Sequence, residues 1–222
     1  MTVLEDLKWV NKKRSEVIGG TDMAVIMGLS KWKNRAQLLQ EKRGLHWTKE
    51  TEAMGWGLRL EEPVANYYLE KERRNGMSIY LFSPAPTQQQ VQHPDIDYFV
   101  GSPDRLVCEQ HSHKLIRGLE IKTSNEFMKK QWDAGVPKNY NIQCQFYMMV
   151  TGTHTWDLAC LVGGNKYYQF TLEKEPFIHE EMIELGAKFY KLMTEGGVDV
   201  EPERKPEPQG SGGVCIPFGR AS

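Results

Sequence analysis

Two acidic positions set the strongest constraint on how this chain can fold. Gly101-Ser102-Pro103-Asp104 is followed sixteen residues later by Glu120-Ile121-Lys122, with a polar stretch from Glu109 to His113 halfway between. The flanking runs, Tyr98 to Cys108 and Lys114 to Thr123, are rich in aromatic and β-branched residues and read as strands. If 104 and 120 oppose each other on consecutive antiparallel strands, the turn centre is residue 112, inside the polar stretch. Directly opposed residues lie about 5 Å apart at Cα with side chains on one face, so the two carboxylates converge. Alternation along the strand puts Lys122 on the face of Glu120 and turns Ile121 into the core.

Carboxylates placed so close repel unless a hard cation lies between them, and Mg²⁺ with oxygen ligands suits the site, with Mn²⁺ as a substitute. The backbone carbonyl of Ile121 can add a ligand. Lys122 can orient or help deprotonate a water and offset charge on a phosphodiester under attack. The same residues would also make an ordinary cross-strand salt bridge on a surface hairpin, and spacing alone leaves both readings open.

The rest of the chain supplies the surroundings. Ile18-Gly19-Gly20-Thr21-Asp22 leads into Met23, Val25, Ile26 and Met27 as a turn opening a short helix, with Thr21 or Asp22 as its cap. Trp32 to Arg43 carries Leu38 and Leu39 on a helical stripe that Gly44 stops. Gly55 to Arg73 reads as a second helix closing at Gly76, with Pro63 tolerable only in the first turn or at a kink. Ser78 to Phe82 suits a strand, and a Pro- and Gln-rich loop follows from Ser83 to Pro94. Pro137 to Thr151 is a helix with Ile142, Phe146 and Met149 on one face and Tyr140, Gln143 and Tyr147 on another. Thr155 to Val162 and Lys166 to Leu172, joined by Gly163, Gly164 and Asn165, form a hairpin, and Glu175 to Glu195 is an amphipathic helix. This order implies an α/β (α+β type) domain over 1–195, a central mixed sheet flanked by helices. Residues 196–222 hold four of the eleven prolines and a Gly-Ser-Gly-Gly stretch, and are expected to be a flexible tail.

Composition excludes some classes. With 28 Lys and Arg against 29 Asp and Glu the net charge is -1, so the chain is no globally basic nucleic-acid coat. Short basic clusters remain that a fold could gather into a channel: Lys12, Lys13 and Arg14; Lys42 and Arg43; Arg73 and Arg74; Lys129 and Lys130. No leader pattern or long apolar run is present, and a soluble cytoplasmic protein with no membrane partner is expected. Cys108, Cys144, Cys160 and Cys215 lie far apart without metal or cluster spacing and read as reduced thiols, three of them in the core.

Ser102-Pro103-Asp104 with Glu120-Ile121-Lys122 resembles the PD-(D/E)xK nuclease motif. The flanking segments resemble the phage lambda exonuclease branch of that superfamily, the alkaline exonucleases and YqaJ-like viral recombinases. Five short motifs follow in one order from about Arg14 to Thr151. The resemblance implies a restriction-endonuclease-like core in which Asp104, Glu120 and the Ile121 carbonyl hold metal and Lys122 assists the nucleophilic water. It assigns Glu61, within Trp56-Gly57-Leu58-Arg59-Leu60-Glu61, to the metal site, where the residue alone reads as an acid favoured at a helix start. Within Ile142-Gln143-Cys144-Gln145 it assigns Gln143 to the catalytic site, with Tyr140 nearby. Arg14 and Thr21, around Val17-Ile18-Gly19-Gly20, match a segment that binds a terminal 5′-phosphate, which Ser102 can also contact. Met54 matches an apolar wedge at the duplex end. Arg105 departs from the pattern, standing where a glycine is usual, so that it either alters the hairpin or places a further cation by the DNA. The activity implied is a Mg²⁺-dependent 5′ to 3′ exonuclease on double-stranded DNA ends bearing a 5′-phosphate. The implied partners are two further copies in a ring-shaped homotrimer and a single-strand annealing recombinase. Competing expectations are an endonuclease of the same superfamily and a non-catalytic DNA-binding protein.

Overall fold

The hairpin that the acid spacing predicts is the centre of the molecule. A computed structural model describes residues 4–46, 49–84 and 89–197. The expected tail and Cys215 lie outside the described residues, apart from Gly196 and Gly197. Strand β1 (Lys8–Val10) is followed by helices α1 (Gly20–Ile26), α2 (Arg35–Lys42) and α3 (Glu52–Arg74). Strands β2 (Ile79–Phe82), β3 (Gln90–Gln92), β4 (Val100–Gly101), β5 (Arg105–Glu109) and β6 (Leu115–Ser124) come next. Helices α4 (Lys129–Asp133) and α5 (Lys138–Thr151), strands β7 (Thr155–Val162) and β8 (Lys166–Glu173), and helix α6 (Pro176–Glu195) complete the order.

The main sheet runs β2-β5-β6-β7-β8, antiparallel except for the parallel β6–β7 pair, and a small sheet runs β1-β3-β4. Arg105 pairs with Leu119 and Leu106 with Gly118, which is the register that places 104 opposite 120. A bulge between Val107 and Cys108 then shifts the pairing by one before the turn. Side-chain alternation gives the sheet two separate cores. Leu106, Cys108, Leu158 and Cys160 pack beneath α1, α5 and α6, whereas Val107, Leu119, Ile121 and Ala159 pack with Val64, Ala65 and Tyr68 of α3. Gly118 is required by close approach: a Cβ there would lie 2.1 Å from the Trp156 ring, which covers the strand at that point.

Helix α3 is fixed to its face of the sheet by buried charge as well as apolar contact. Arg117 reaches Asp157 at 2.6 Å and Glu72 at 2.5 Å, and Tyr68 donates to Asp157 at 2.6 Å. Thr171 donates to the other Asp157 oxygen at 2.6 Å, so this deeply buried carboxylate is fully met.

Several local expectations need correction. The cap of α1 is Gly19, and Asp22 instead sits in the first turn and accepts the Gly19 N–H at 2.9 Å. Helix α3 begins at Glu52, so Pro63 lies in its interior on the exposed side, where it removes the hydrogen bond to the carbonyl of Arg59. The run from Tyr98 to Cys108 is two strands broken at Ser102-Pro103-Asp104, because proline cannot donate to a ladder. The Pro- and Gln-rich segment contains β3, whose three residues carry too little pattern to be read.

Candidate active site

Asp104 stands at the start of β5, one residue beyond its last ladder pair, and Glu120 stands on β6 opposite that gap. The Asp104 Oδ2 accepts the Ile121 backbone N–H at 2.7 Å. The N–H and C=O of one strand residue face the same edge, so the Ile121 carbonyl also faces the gap beside Asp104. Glu120 is almost wholly buried. Its Oε1 accepts from Lys122 and, at 2.7 Å, from Nε2 of Gln143 on α5, while its Oε2 is buried with no hydrogen-bond partner.

Burial, and then the neighbouring Glu120 charge, pushes the Asp104 carboxyl well above the usual carboxylate range. Burial raises Glu120 in the same direction, against the pull of Lys122. Burial would lower Lys122, but the carboxylates of Glu120 and Asp104 outweigh it and hold the ammonium above its ordinary value. The site is therefore short of positive charge, and it presents an orphaned carboxylate oxygen beside a second carboxylate and a backbone carbonyl. An all-oxygen set of this kind fits a hard dication such as Mg²⁺. Among the described residues no group of three or more His, Cys, Asp or Glu side chains converges to hold an ion, so such an ion would complete its shell with the carbonyl and water.

Helix α5 supplies the wall of the site. Gln143 also donates to the Tyr147 hydroxyl at 3.0 Å, and Tyr147 is buried. Tyr147 is the site neighbour that sequence reasoning left among the helix-face residues; its position four after Gln143 is the signal that both line one stripe. Tyr140 stacks on Trp132, and Lys122 Nζ lies 5.3 Å from the Tyr140 ring centre, a cation–π placement. Gln145 points elsewhere, binding the Glu173 carbonyl at 2.7 Å and His179 at 3.0 Å.

Glu61 comes from the other face of the sheet. It meets Arg105 at 2.5 Å, and Arg105 reaches Glu62 at 2.7 Å. Arg105 is buried, so of its two expected roles the DNA-facing cation is corrected: it clamps α3 to the hairpin.

The proposed phosphate residues lie at one edge. Ile18 donates to the Tyr98 carbonyl and accepts from the Val100 N–H, which lays the α1 entry alongside the strand leading to Ser102. Thr21 and Ser102 are exposed, and Arg14 is largely exposed 3.6 Å from Asp22. Lys42 is not available to a channel, a second correction. Its ammonium is buried and donates at 2.7 Å to Asp22 and to the carbonyls of Arg14 and Val17, holding the Arg14 loop in place. Met54 is half-exposed in the first turn of α3, near Trp56, over which Arg59 lies at 5.5 Å.

The chain is a mixed α/β protein, a five-stranded sheet with helices on both faces that carries an acid pair at a broken hairpin edge. The chain belongs to the YqaJ-like viral recombinase domain family, whose model matches residues 8–154. It is 29% identical over 195 residues to the uncharacterized protein YqaJ of Bacillus subtilis (strain 168), a match that covers 86% of this chain. The chain spans only 57% of that relative's length. Its fold is similar to the alkaline exonuclease LHK-Exo of Laribacter hongkongensis, with a TM-score of 0.65 and 20% identity over 82% of this chain and 90% of that one. It is also similar to a phage-related exonuclease of Haemophilus somnus 129PT, with a TM-score of 0.57 and 12% identity over 82% and 96% of the two chains.

Proposed function

We propose that this chain is a Mg²⁺-dependent nuclease that digests double-stranded DNA from its ends in the 5′ to 3′ direction. It would release 5′-mononucleotides and leave 3′ single strands for recombination by annealing. The observation that carries the reading is the convergence of Asp104, Glu120 and Lys122 around a buried carboxylate oxygen without a partner. Membership of a viral recombinase family and a fold shared with proteins named exonucleases support it.

Asp104, Glu120 and the Ile121 carbonyl would hold the ion. When bound, it supplies Lewis-acid activation of water and neutralises charge on the phosphodiester. Gln143 fixes the Glu120 carboxylate from above, and Lys122 places its ammonium where it can orient the attacking water and offset the negative charge that builds on phosphorus. Water oxygen bonds to phosphorus, the bond from phosphorus to the 3′-oxygen breaks, and that oxygen leaves with a proton. The shortened strand then carries a new 5′-phosphate, which Arg14, Thr21 and Ser102 would anchor, setting a step of one nucleotide. Met54 would wedge the duplex end and Tyr140 would steady Lys122. A ring-shaped homotrimer around the duplex, with a single-strand annealing recombinase as partner in a bacterial or phage-infected cytoplasm, completes the proposal.

The test is digestion of linear blunt duplex with and without a 5′-phosphate, beside closed circular duplex. Phosphorylated ends should be cut fastest, and efficient cutting of the circle would overturn the exonuclease reading. Asp104→Ala and Lys122→Ala should each lower digestion by at least about a hundredfold with folding intact. Survival of activity in both would remove the catalytic assignment.

A further inference from the structure

The buried guanidinium of Arg105 is unusual for the company it keeps. Its side chain is only 7% exposed. Nη1 donates to Glu61 Oε1 at 2.5 Å and to the Asp104 carbonyl at 2.6 Å, and Nη2 donates to Glu62 Oε2 at 2.7 Å. One cation thus ties the backbone of Asp104 to two successive acids of α3. Because one Nη1 binds both the Glu61 carboxylate and the Asp104 carbonyl, Glu61 is held beside the acid pair. Without Arg105 the site would hold three mutually repelling carboxylates.

We infer that Arg105 is a resident cation that takes Glu61 as its counterion and so limits the site to a single divalent ion, held by Asp104 and Glu120. The inference rests on the nuclease reading. Asp104, Glu120 and Glu61 face Lys122 and Arg105, which leaves one net negative charge; Glu62 is 67% exposed and screened by water. One dication turns that into one net positive charge, matched to the single negative charge of a phosphodiester. A second would leave three positive charges and would have to displace Arg105 from Glu61. Arg105 resists displacement, because its hydrogen bonds to carboxylates are charge-assisted and its guanidinium cannot shed its proton.

The experiment is calorimetric titration of the full chain with Mn²⁺ in the absence of DNA. The wild type should take up one ion per chain. Glu61→Gln should keep that ion with affinity changed by less than about tenfold, the low end of what an outer carboxylate contributes. Arg105→Lys should also remain at one. Arg105→Ala should gain a second, weaker ion that the Arg105→Ala, Glu61→Gln double variant lacks. Two ions on the wild type, loss of the ion in folded Glu61→Gln, or a single ion on folded Arg105→Ala would each overturn the inference while leaving the nuclease reading in place. If Arg105→Ala does not fold, the wild-type and Glu61→Gln titrations still decide. No ion on the wild type would overturn the metal-dependent reading and this inference together.

Discussion

Asp104 bears its charge at a cost to the fold, since burial and the charge of Glu120 both oppose ionisation. The direction fixes the sign of a stability effect. A carboxyl raised above its unfolded-state value is disfavoured as an anion at neutral pH, so removing the charge should stabilise the metal-free chain. Asparagine keeps an oxygen for the Ile121 N–H and removes the repulsion. Asp104→Asn should therefore raise the metal-free melting temperature by about 2 °C or more, the shift that about 1 kcal/mol produces in a domain of this size. It should also abolish any rise in melting temperature on adding Mn²⁺. A lower metal-free melting temperature would show that the Asp104 charge is compensated locally. Lys42 shows the converse arrangement, a buried charge met on every side by Asp22 and two carbonyls. The sequence places it in a basic cluster because nothing local marks a lysine whose partners lie 20 to 28 residues away.

Helix α3 has to be held firmly, because it carries Glu61 and Met54 at one end and meets the sheet at the other. The half-buried Arg117 connects it to β6 and β7 through Glu72, Tyr68 and Asp157. Replacing one partner leaves the others charged and unmet. Arg117→Met should cost about 3–5 kcal/mol in urea unfolding, and adding Asp157→Leu should recover part of the loss. Helix α6 is joined to α5 through His179 and Gln145. Burial, and then Lys174, pushes His179 down to about 4. A histidine depressed in this way is neutral in the fold, so its stability is complete above the unfolded value near 6.5 and is lost as pH falls from there towards 4. Unfolding at pH 4.5 should show a loss of about 2 kcal/mol relative to pH 7.5 from this group, and His179→Gln should remove that part of the pH dependence. At this scale the long elements were legible in the sequence. The β5–β6 register follows from the acid spacing, the β7–β8 hairpin from its Gly-Gly-Asn turn, and α5 from its two faces. Strands of two or three residues, the interior Pro63 and the packing need at Gly118 depend on contacts that no local pattern records.

For the molecule as a whole, near-zero net charge must be reconciled with the polyanionic substrate we propose. The convergence of Asp104, Glu120 and Lys122 could be worked out from strand spacing, and Gln143 came only with the family resemblance, but the clamp of Arg105 on Glu61 could not be read, because its partners lie 44 residues apart on different elements. The basic clusters were legible as residues and not as a surface. Lys42 is consumed by the fold, and Arg73 donates to the Ile79 carbonyl at 3.0 Å. Lys13 and Arg14 at the phosphate edge and Lys129 and Lys130 in the first turn of α4 remain exposed. Each Lys or Arg that neutralises a phosphate releases counterions, and the slope of log affinity against log salt steepens by about 0.9 per contact on duplex DNA. Measured with the Asp104→Asn chain so that the duplex survives, Arg14→Gln, Lys129→Gln and Lys130→Gln should each flatten the slope by about 0.9. Lys42→Gln should act through stability, lowering the melting temperature by removing the partner of a buried carboxylate. An unchanged slope in the three surface variants would mean that DNA approaches by another face. A flattened slope would place the positive lining of the channel at these clusters, with the acidic centre at Asp104 and Glu120 between them.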